Sequence, residues 1–300
     1  MADSDAARVR KGGKLGKPRE IWLVSNPASG SNDEAALDAL RQCCGDRGFD
    51  VARHTVFPDE PLPTPAALDA AGIGCVAIYA GDGTVNGLVT GLAGWRGAVL
   101  VLPGGTMNLL YRRLHGQRTL EETLSAVSRG EASRVRPSMI HTRQGDAYAG
   151  LLAGPGTSWG RVREAMRAAD VAELAQSTVA AIDETLTGEQ VACVDPPLGR
   201  REGYPLLSFS PVDEGIEVEA YYAEAASEYL AQTWALLKRD FREGPHEQLG
   251  QARRITVAST QGNPFGLLID GEEVDAGARI ELELAPCAVD LLATGTDDDA

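Results

Sequence analysis

Three short stretches of this 300-residue chain gather the residue types that handle phosphate. They are Asn26-Pro27-Ala28-Ser29-Gly30, Gly81-Asp82-Gly83-Thr84-Val85-Asn86 and Pro103-Gly104-Gly105-Thr106-Met107-Asn108. Each combines glycine with Ser or Thr, each contains Asn, and each opens towards a helical pattern. Glycine lets a backbone approach a ligand closely and leaves its N–H groups accessible. A helix N-terminus favours an anion, so three such turns along one edge suit a polyphosphate. A single turn of this kind would be no more than a backbone requirement; three with the same chemistry point to phosphate binding. Neither GxxxxGK[ST] nor GxGxxG occurs, which argues against those two nucleotide-binding classes.

Such turns need rigid elements to present them. From Ile21 the chain alternates apolar runs with helical patterns: IWLVS, DEAALDALRQCCGDRG, FDVARHTVF, a Pro-punctuated loop and short helix, CVAIYA, a helix from Thr84, then GAVLVLP. Strands alternating with helices predict a parallel sheet covered on both faces, and runs apolar throughout fit doubly covered strands. After a helix over Leu120–Arg129 the rhythm changes. SRVRPSMIHT, DAYAGLLAG, QVACV, YPLLSFS, EVEAYYA, RITVAST, FGLLID and ARIELEL read as strands, interrupted by helical patterns at 161–186 and 224–240. The expected architecture is therefore α/β: an open, mostly parallel sheet followed by a β-rich antiparallel domain. The expected divisions are a flexible basic arm at 1–18, the α/β domain at 19–129, the β-rich domain at 130–293 and an acidic tail at 294–300.

The formal net charge of -15 argues against nonspecific nucleic-acid binding. Five cysteines, Cys43, Cys44, Cys75, Cys193 and Cys287, show no metal-ligand spacing and fit reduced thiols. No apolar run reaches membrane-spanning length and the N-terminus lacks a signal-like apolar region, so a cytoplasmic protein is expected, one that meets a membrane only peripherally. His54, His115, His141 and His246 are scattered, without a metal pattern or a Ser-His-Asp arrangement.

NPASG, AGDGTVNGLVTGL and LPGGTMN resemble the three signatures of the diacylglycerol kinase catalytic-domain family, whose usual forms are NPxSG, GGDGTxNE and LPxGTxND. VDEGIEVEAYY resembles the family's DDGxxxV strand, and LLIDGEEV its Asp-Gly-Glu motif. The resemblance implies a first domain like that of NAD kinase and phosphofructokinase, a β-rich second domain, and phosphorylation of a lipid hydroxyl presented at a membrane surface, in a cleft between the domains, with ATP and Mg²⁺. It leaves oligomeric state open, a homodimer included.

The same resemblance assigns nucleotide contacts to Asn26, Pro27, Ser29, Gly30, Thr55, Gly81, Asp82, Gly83, Thr84, Asn86, Gly105, Thr106 and Asn108. Asp82 would orient nucleotide and Mg²⁺, although it could also cap the following helix through the Thr84 or Val85 N–H. Asn108 could merely cap a helix, and Thr55 could be a plain strand residue. Phosphoryl transfer to an alcohol needs a base beside the hydroxyl. Asp270 or Glu272 is implied for that role, with Asp82 competing, while Asp-Gly at 270–271 is equally a two-residue hairpin signal. Asp213 and Glu214 resemble a structural Mg²⁺ position or are solvated turn carboxylates. Departures stand at Ala80, Gly87 and Leu109, where the family has Gly, Glu and Asp. They keep a catalytically inactive relative in view; a kinase for a soluble substrate such as NAD is a further rival, disfavoured by the NPASG turn and the long β-rich domain.

Overall fold

The apolar runs of the N-terminal half become the middle strands of a parallel sheet. The protein is described by a computed structural model covering residues 20–30, 34–154, 190–221 and 246–295. The chain divides into two units, Met1–Pro137 with Pro286–Ala300, and Ser138–Ala285.

In the first unit the elements run β1 (Glu20–Ser25), α1 (Glu34–Asp46), β2 (Asp50–Val56), α2 (Pro65–Ala70), β3 (Cys75–Ala80), α3 (Asp82–Gly91), β4 (Ala98–Pro103), α4 (Leu109–His115), α5 (Leu120–Arg129) and β5 (Ser133–Val135). Strands β2, β1, β3 and β4 lie in that order and pair in parallel. Side chains alternate faces along a strand. Ile21, Leu23, Cys75, Ala77, Ala98 and Leu100 accordingly share one core with Leu40 and Cys44 of α1 and Leu124 and Val127 of α5. Val76, Ile78, Val99 and Val101, of opposite parity, are buried too, so the sheet is covered on both faces. Helix α5 starts at a capping box: Thr119 Oγ1 accepts from the Glu122 N–H at 3.3 Å, and Glu122 Oε2 from the Thr119 N–H at 2.8 Å. It ends where Gly130 turns left-handed at φ 78°.

The second unit contains β6 (Ser138–His141), β7 (Asp146–Ala147), β8 (Leu151–Ala153), β9 (Val191–Asp195), β10 (Pro197–Leu198), β11 (Leu206–Pro211), β12 (Ile216–Tyr221), β13 (His246–Ala252), β14 (Arg254–Ser259), β15 (Gly266–Ile269), β16 (Glu272–Asp275) and β17 (Arg279–Pro286). They form two sheets, in the orders β10-β9-β14-β17-β6-β7 and β13-β12-β11-β8-β15-β16. All pairings of the second of these are antiparallel. One core of Ile140, Val191, Phe209, Val218, Val257, Leu267 and Leu282 draws on both sheets.

Four details differ from the sequence reading. SRVRPSMIHT, read as one strand, is two strands in different sheets: β5 stops before Pro137, which has no N–H to continue a ladder. DAYAGLLAG is likewise split, at a turn over Tyr148, Ala149 and Gly150. The last strand, β18 (Asp290–Ala293), joins the first sheet between β4 and β5, parallel to the one and antiparallel to the other. Thr294, expected to open the acidic tail, is buried, with its Oγ1 2.9 Å from His115 Nδ1 and its carbonyl accepting from Arg118 at 2.8 Å. The helical patterns at 161–186 and 224–240, the arm at 1–18 and the end of the tail lie outside the described residues.

Candidate nucleotide site

The three glycine-bearing turns follow β1, β3 and β4, neighbours in a parallel sheet, and so emerge at one edge. The strand order reverses its direction of growth between β1 and β3, and at such a switch point a crevice opens beyond the strand ends. The turns touch. A Cβ on Gly105 would stand 2.7 Å from the Gly81 Cα, closer than real Cβ atoms approach a backbone. One on Gly81 would meet Ser29 Oγ at 3.3 Å. Gly30, held at φ +58°, would set its Cβ 3.0 Å from the Gly104 carbonyl oxygen. Glycine is thus required at Gly105 by space and at Gly30 by space and conformation together.

The polar side chains of the motifs clasp the turns to one another. Asn26 Oδ1 accepts the Ala28 N–H at 2.9 Å, closing its own turn, and its Nδ2 donates to Thr84 Oγ1 at 2.9 Å. Asn108, left-handed at φ 52°, accepts the Gly105 N–H at 2.7 Å and donates to the Gly105 carbonyl at 2.8 Å. Asp82 Oδ1 accepts the Leu109 N–H at 2.7 Å. Asp82 therefore caps α4, across the turns. Asn86 lies within α3, where its Oδ1 accepts from Thr90 Oγ1 at 3.4 Å.

The start of α3 is left without a side-chain cap from its own N-cap residue, Gly81, and helix geometry gives the first-turn amides no intrahelical acceptor. Pro27 and Thr106 are exposed, while Ser29, Asp82, Gly83 and Thr84 are half-buried. None of the residues 26–30, 81–86 or 103–108 is Lys or Arg. Within the three turns themselves the charged side chain is Asp82.

The other assigned residues stand differently. Thr55 is buried in β2, its Oγ1 taken by the Trp22 indole N–H at 3.0 Å, the plain strand role. Asp270 and Gly271 both have positive φ, 48° and 89°, as the tight turn between β15 and β16 requires. Asp270 is only 5% exposed, and its carboxylate accepts three successive amides, Tyr148 at 2.9 Å, Ala149 at 2.8 Å and Gly150 at 3.1 Å. Glu272, the first residue of β16, is exposed. Asp213 and Glu214 are exposed at the β11–β12 turn, which the Val212 N–H closes on the Gly215 carbonyl at 3.0 Å. Among the described residues no group of three or more His, Cys, Asp or Glu could hold a metal ion.

Residues 20–140 match the family profile of the diacylglycerol kinase catalytic domain. The match covers less than half of the chain and likens this segment to the family's catalytic domain. A crystal structure of a candidate diacylglycerol kinase from Bacillus anthracis str. Sterne superposes with a TM-score of 0.60 at 15% identity, over 95% of this chain and 98% of that one. The structure of a diacylglycerol kinase from the same organism gives 0.58 at 12% identity, over 95% and 100%. At such identities the likeness is one of fold. No curated protein matches the sequence. Among the described residues, no helix is long and apolar enough to cross a membrane.

The sequence reading missed one group beside the first turn. Ser25 Oγ lies 2.8 Å from His54 Nε2, and Arg41 Nη2 lies 2.8 Å from His54 Nδ1. No motif spacing announces a contact between residues 29 positions apart. Only the parallel pairing of β1 with β2, which sets Leu23 opposite His54, brings the two strand ends together.

Proposed function

We propose that this protein is an ATP-dependent kinase that transfers the γ-phosphoryl group to the hydroxyl of a lipid of the diacylglycerol kind. The observation that carries the reading is the packing of Gly30, Gly81 and Gly105 into one cluster at the edge of the parallel sheet. Only glycine lets these turns come so close, and the first-turn amides of α3, which have no intrahelical acceptor, offer the chemistry that suits a triphosphate. The match of residues 20–140 to a kinase catalytic-domain profile supports it, as do the names of the two bacterial neighbours.

In this reading the amides of the α3 first turn and the hydroxyls of Ser29 and Thr106 grip phosphate oxygens. Asn26 and Asn108 hold the turns in register instead of touching the nucleotide. With no Lys or Arg in the turns, Asp82 beside a triphosphate calls for a cation between them, and Mg²⁺ typically enters with the phosphates and one or two carboxylates. Glu272 is assigned the substrate hydroxyl proton. Asp270, engaged by three amides, anchors the turn on which Glu272 sits.

Incubation with radiolabelled ATP, Mg²⁺ and vesicles carrying diacylglycerol or other lipid alcohols tests the proposal, with NAD as the soluble acceptor. Transfer to a lipid that is lost in Asp82→Ala and Glu272→Gln is the expected result. Labelling of NAD alone, or equal turnover in wild type and variants, overturns it. A second reading, a nucleotide-binding relative without turnover, is favoured by Leu109: the family's Asp is absent there, and the Leu109 N–H occupies one Asp82 oxygen. ATP binding independent of Mg²⁺, without transfer to any acceptor, supports that reading.

A further inference from the structure

The first turn is fastened from behind by a chain of side chains that phosphate binding does not use. Ser25 ends β1, is fully buried, and immediately precedes Asn26, whose side chain holds Thr84. A guanidinium can only donate, so His54 Nδ1 must be the acceptor of its 2.8 Å contact with Arg41. The neutral imidazole then carries its proton on Nε2 and donates it to Ser25 Oγ, 2.8 Å away. Arg41 is itself steadied by Asp38 at 3.3 Å. Three elements, α1, β2 and β1, are thereby tied together one residue ahead of the NPASG turn.

Protonation undoes this arrangement. With a proton on Nδ1, His54 would confront the Arg41 N–H with another N–H and another positive charge. We infer that Arg41, His54 and Ser25 form a positioning device for the NPASG turn, holding it in the nucleotide-gripping shape while His54 is neutral and loosening it when His54 is protonated. The inference rests on the reading that these turns bind ATP. The charged groups facing His54 are Arg41 from α1 and Glu60 from the turn after β2; Asp38 acts through Arg41. Burial first and Arg41 second hold the His54 pKa below its ordinary value, and Glu60 opposes them. The device is therefore set at neutral pH and releases in acid. His54 touches no ligand here and is a positioning residue only.

The test follows the backbone amides of Asn26, Ala28 and Gly30 and the His54 imidazole by NMR from pH 8 downward in the nucleotide-free protein. Mg²⁺–ATP affinity is measured at the same pH values for wild type, Arg41→Met and His54→Gln. The turn amides should shift with the His54 midpoint, and wild-type affinity should fall on the order of tenfold across it. Arg41→Met removes a positive neighbour and should move both midpoints to higher pH. His54→Gln keeps an N–H for Ser25 without titrating. It should bind ATP like wild type at neutral pH, and its shallower acid response reports the titration of ATP itself. Turn amides that ignore the imidazole, an unmoved midpoint in Arg41→Met, or identical pH profiles for wild type and His54→Gln overturn the inference. If wild type binds no ATP at any pH, the nucleotide reading falls, and the amide titration alone decides the positioning role.

Discussion

Asp82 and Asp270 are both followed by glycine, and the two units put them to different use. Asp82 stands half-exposed where a parallel strand turns into a helix, and gives one oxygen to the Leu109 N–H. Asp270 is buried in an antiparallel hairpin and gives both oxygens to the amides of Tyr148, Ala149 and Gly150. A strand-to-helix turn uses few of its backbone donors internally, because the first turn of a helix has no partners for them. A hairpin beside another strand end must satisfy every buried donor at once. The first geometry leaves chemistry available at the surface; the second consumes it in holding the fold. The same dipeptide therefore marks a candidate site in one unit and an anchor in the other.

The largest expected effect breaks that contrast if it fails. Asp270→Ala strands the buried Tyr148 amide, at about 1–3 kcal/mol, and the half-buried Ala149 and Gly150 amides at less, so stability should drop by roughly 3–5 kcal/mol. Asp82→Ala removes one exposed-side cap worth about 1 kcal/mol. Denaturant midpoints should thus collapse for the first variant and barely move for the second, while phosphoryl transfer is lost in Asp82→Ala with the fold intact. A stable but inactive Asp270→Ala would instead make Asp270 the reacting carboxylate.

Acid separates the units in another way. Burial holds His115 of α4 at a pKa of about 4, below its ordinary 6.5. Between these values the unfolded chain binds the proton and the folded chain does not, so stability rises with pH across that window and is lost on acidification. The full span of that window corresponds to roughly 3 kcal/mol. His115→Gln should flatten the dependence of the thermal midpoint between pH 6.5 and about 4, and the loss in wild type should begin in the first unit, where α4 and β18 meet at Thr294. An unchanged slope in the variant assigns the acid sensitivity elsewhere.

Within the turn cluster, Gly105→Ala probes the packing directly. Its Cβ would stand 2.7 Å from the Gly81 Cα, so the second and third turns must part. Displacing a positioning group by about 1 Å costs on the order of 100-fold in rate, and kcat/KM for ATP should fall by that much with little change in melting temperature. Retained ATP turnover would mean that the turns need not touch.

The sequence was legible where one local rule decides the outcome. Apolar runs such as IWLVS and AVLVLP could only be covered strands, and glycines at their ends could only be turns. Asp-Gly at 270–271 was a hairpin signal and is a hairpin. What stayed hidden were partners set by long-range register. At Thr55 a ligand contact and a plain strand role stay equally open in the sequence, because nothing local shows Trp22, 33 positions away, donating to its hydroxyl. The amides that engage Asp270 lie 120 to 122 positions upstream. For Asn26, Asp82 and Asn108 motif spacing reveals that polar groups converge without showing whether they meet a ligand, cap a helix or hold each other. The return of β18 to the first sheet was hidden for a similar reason: its apolar residues carry no mark of which sheet will receive them.

The smallest predicted effect concerns one of those clasps. Thr84→Val keeps the shape of the side chain but removes the oxygen that accepts from Asn26 Nδ2 at 2.9 Å. A hydrogen bond of this kind contributes about 1 kcal/mol net, a fewfold change in an equilibrium constant. If Thr84 only holds the first turn against α3, the variant should weaken ATP binding a fewfold, leave kcat almost unchanged, and be additive with a substitution in the Asp270 hairpin of the other unit. If Thr84 also touches phosphate in the transition state, kcat and kcat/KM should fall together. The split between binding and turnover thus tells whether this hydroxyl belongs with Asn26 and Asn108, as a part of the scaffold, or with the groups that grip the transferred phosphate.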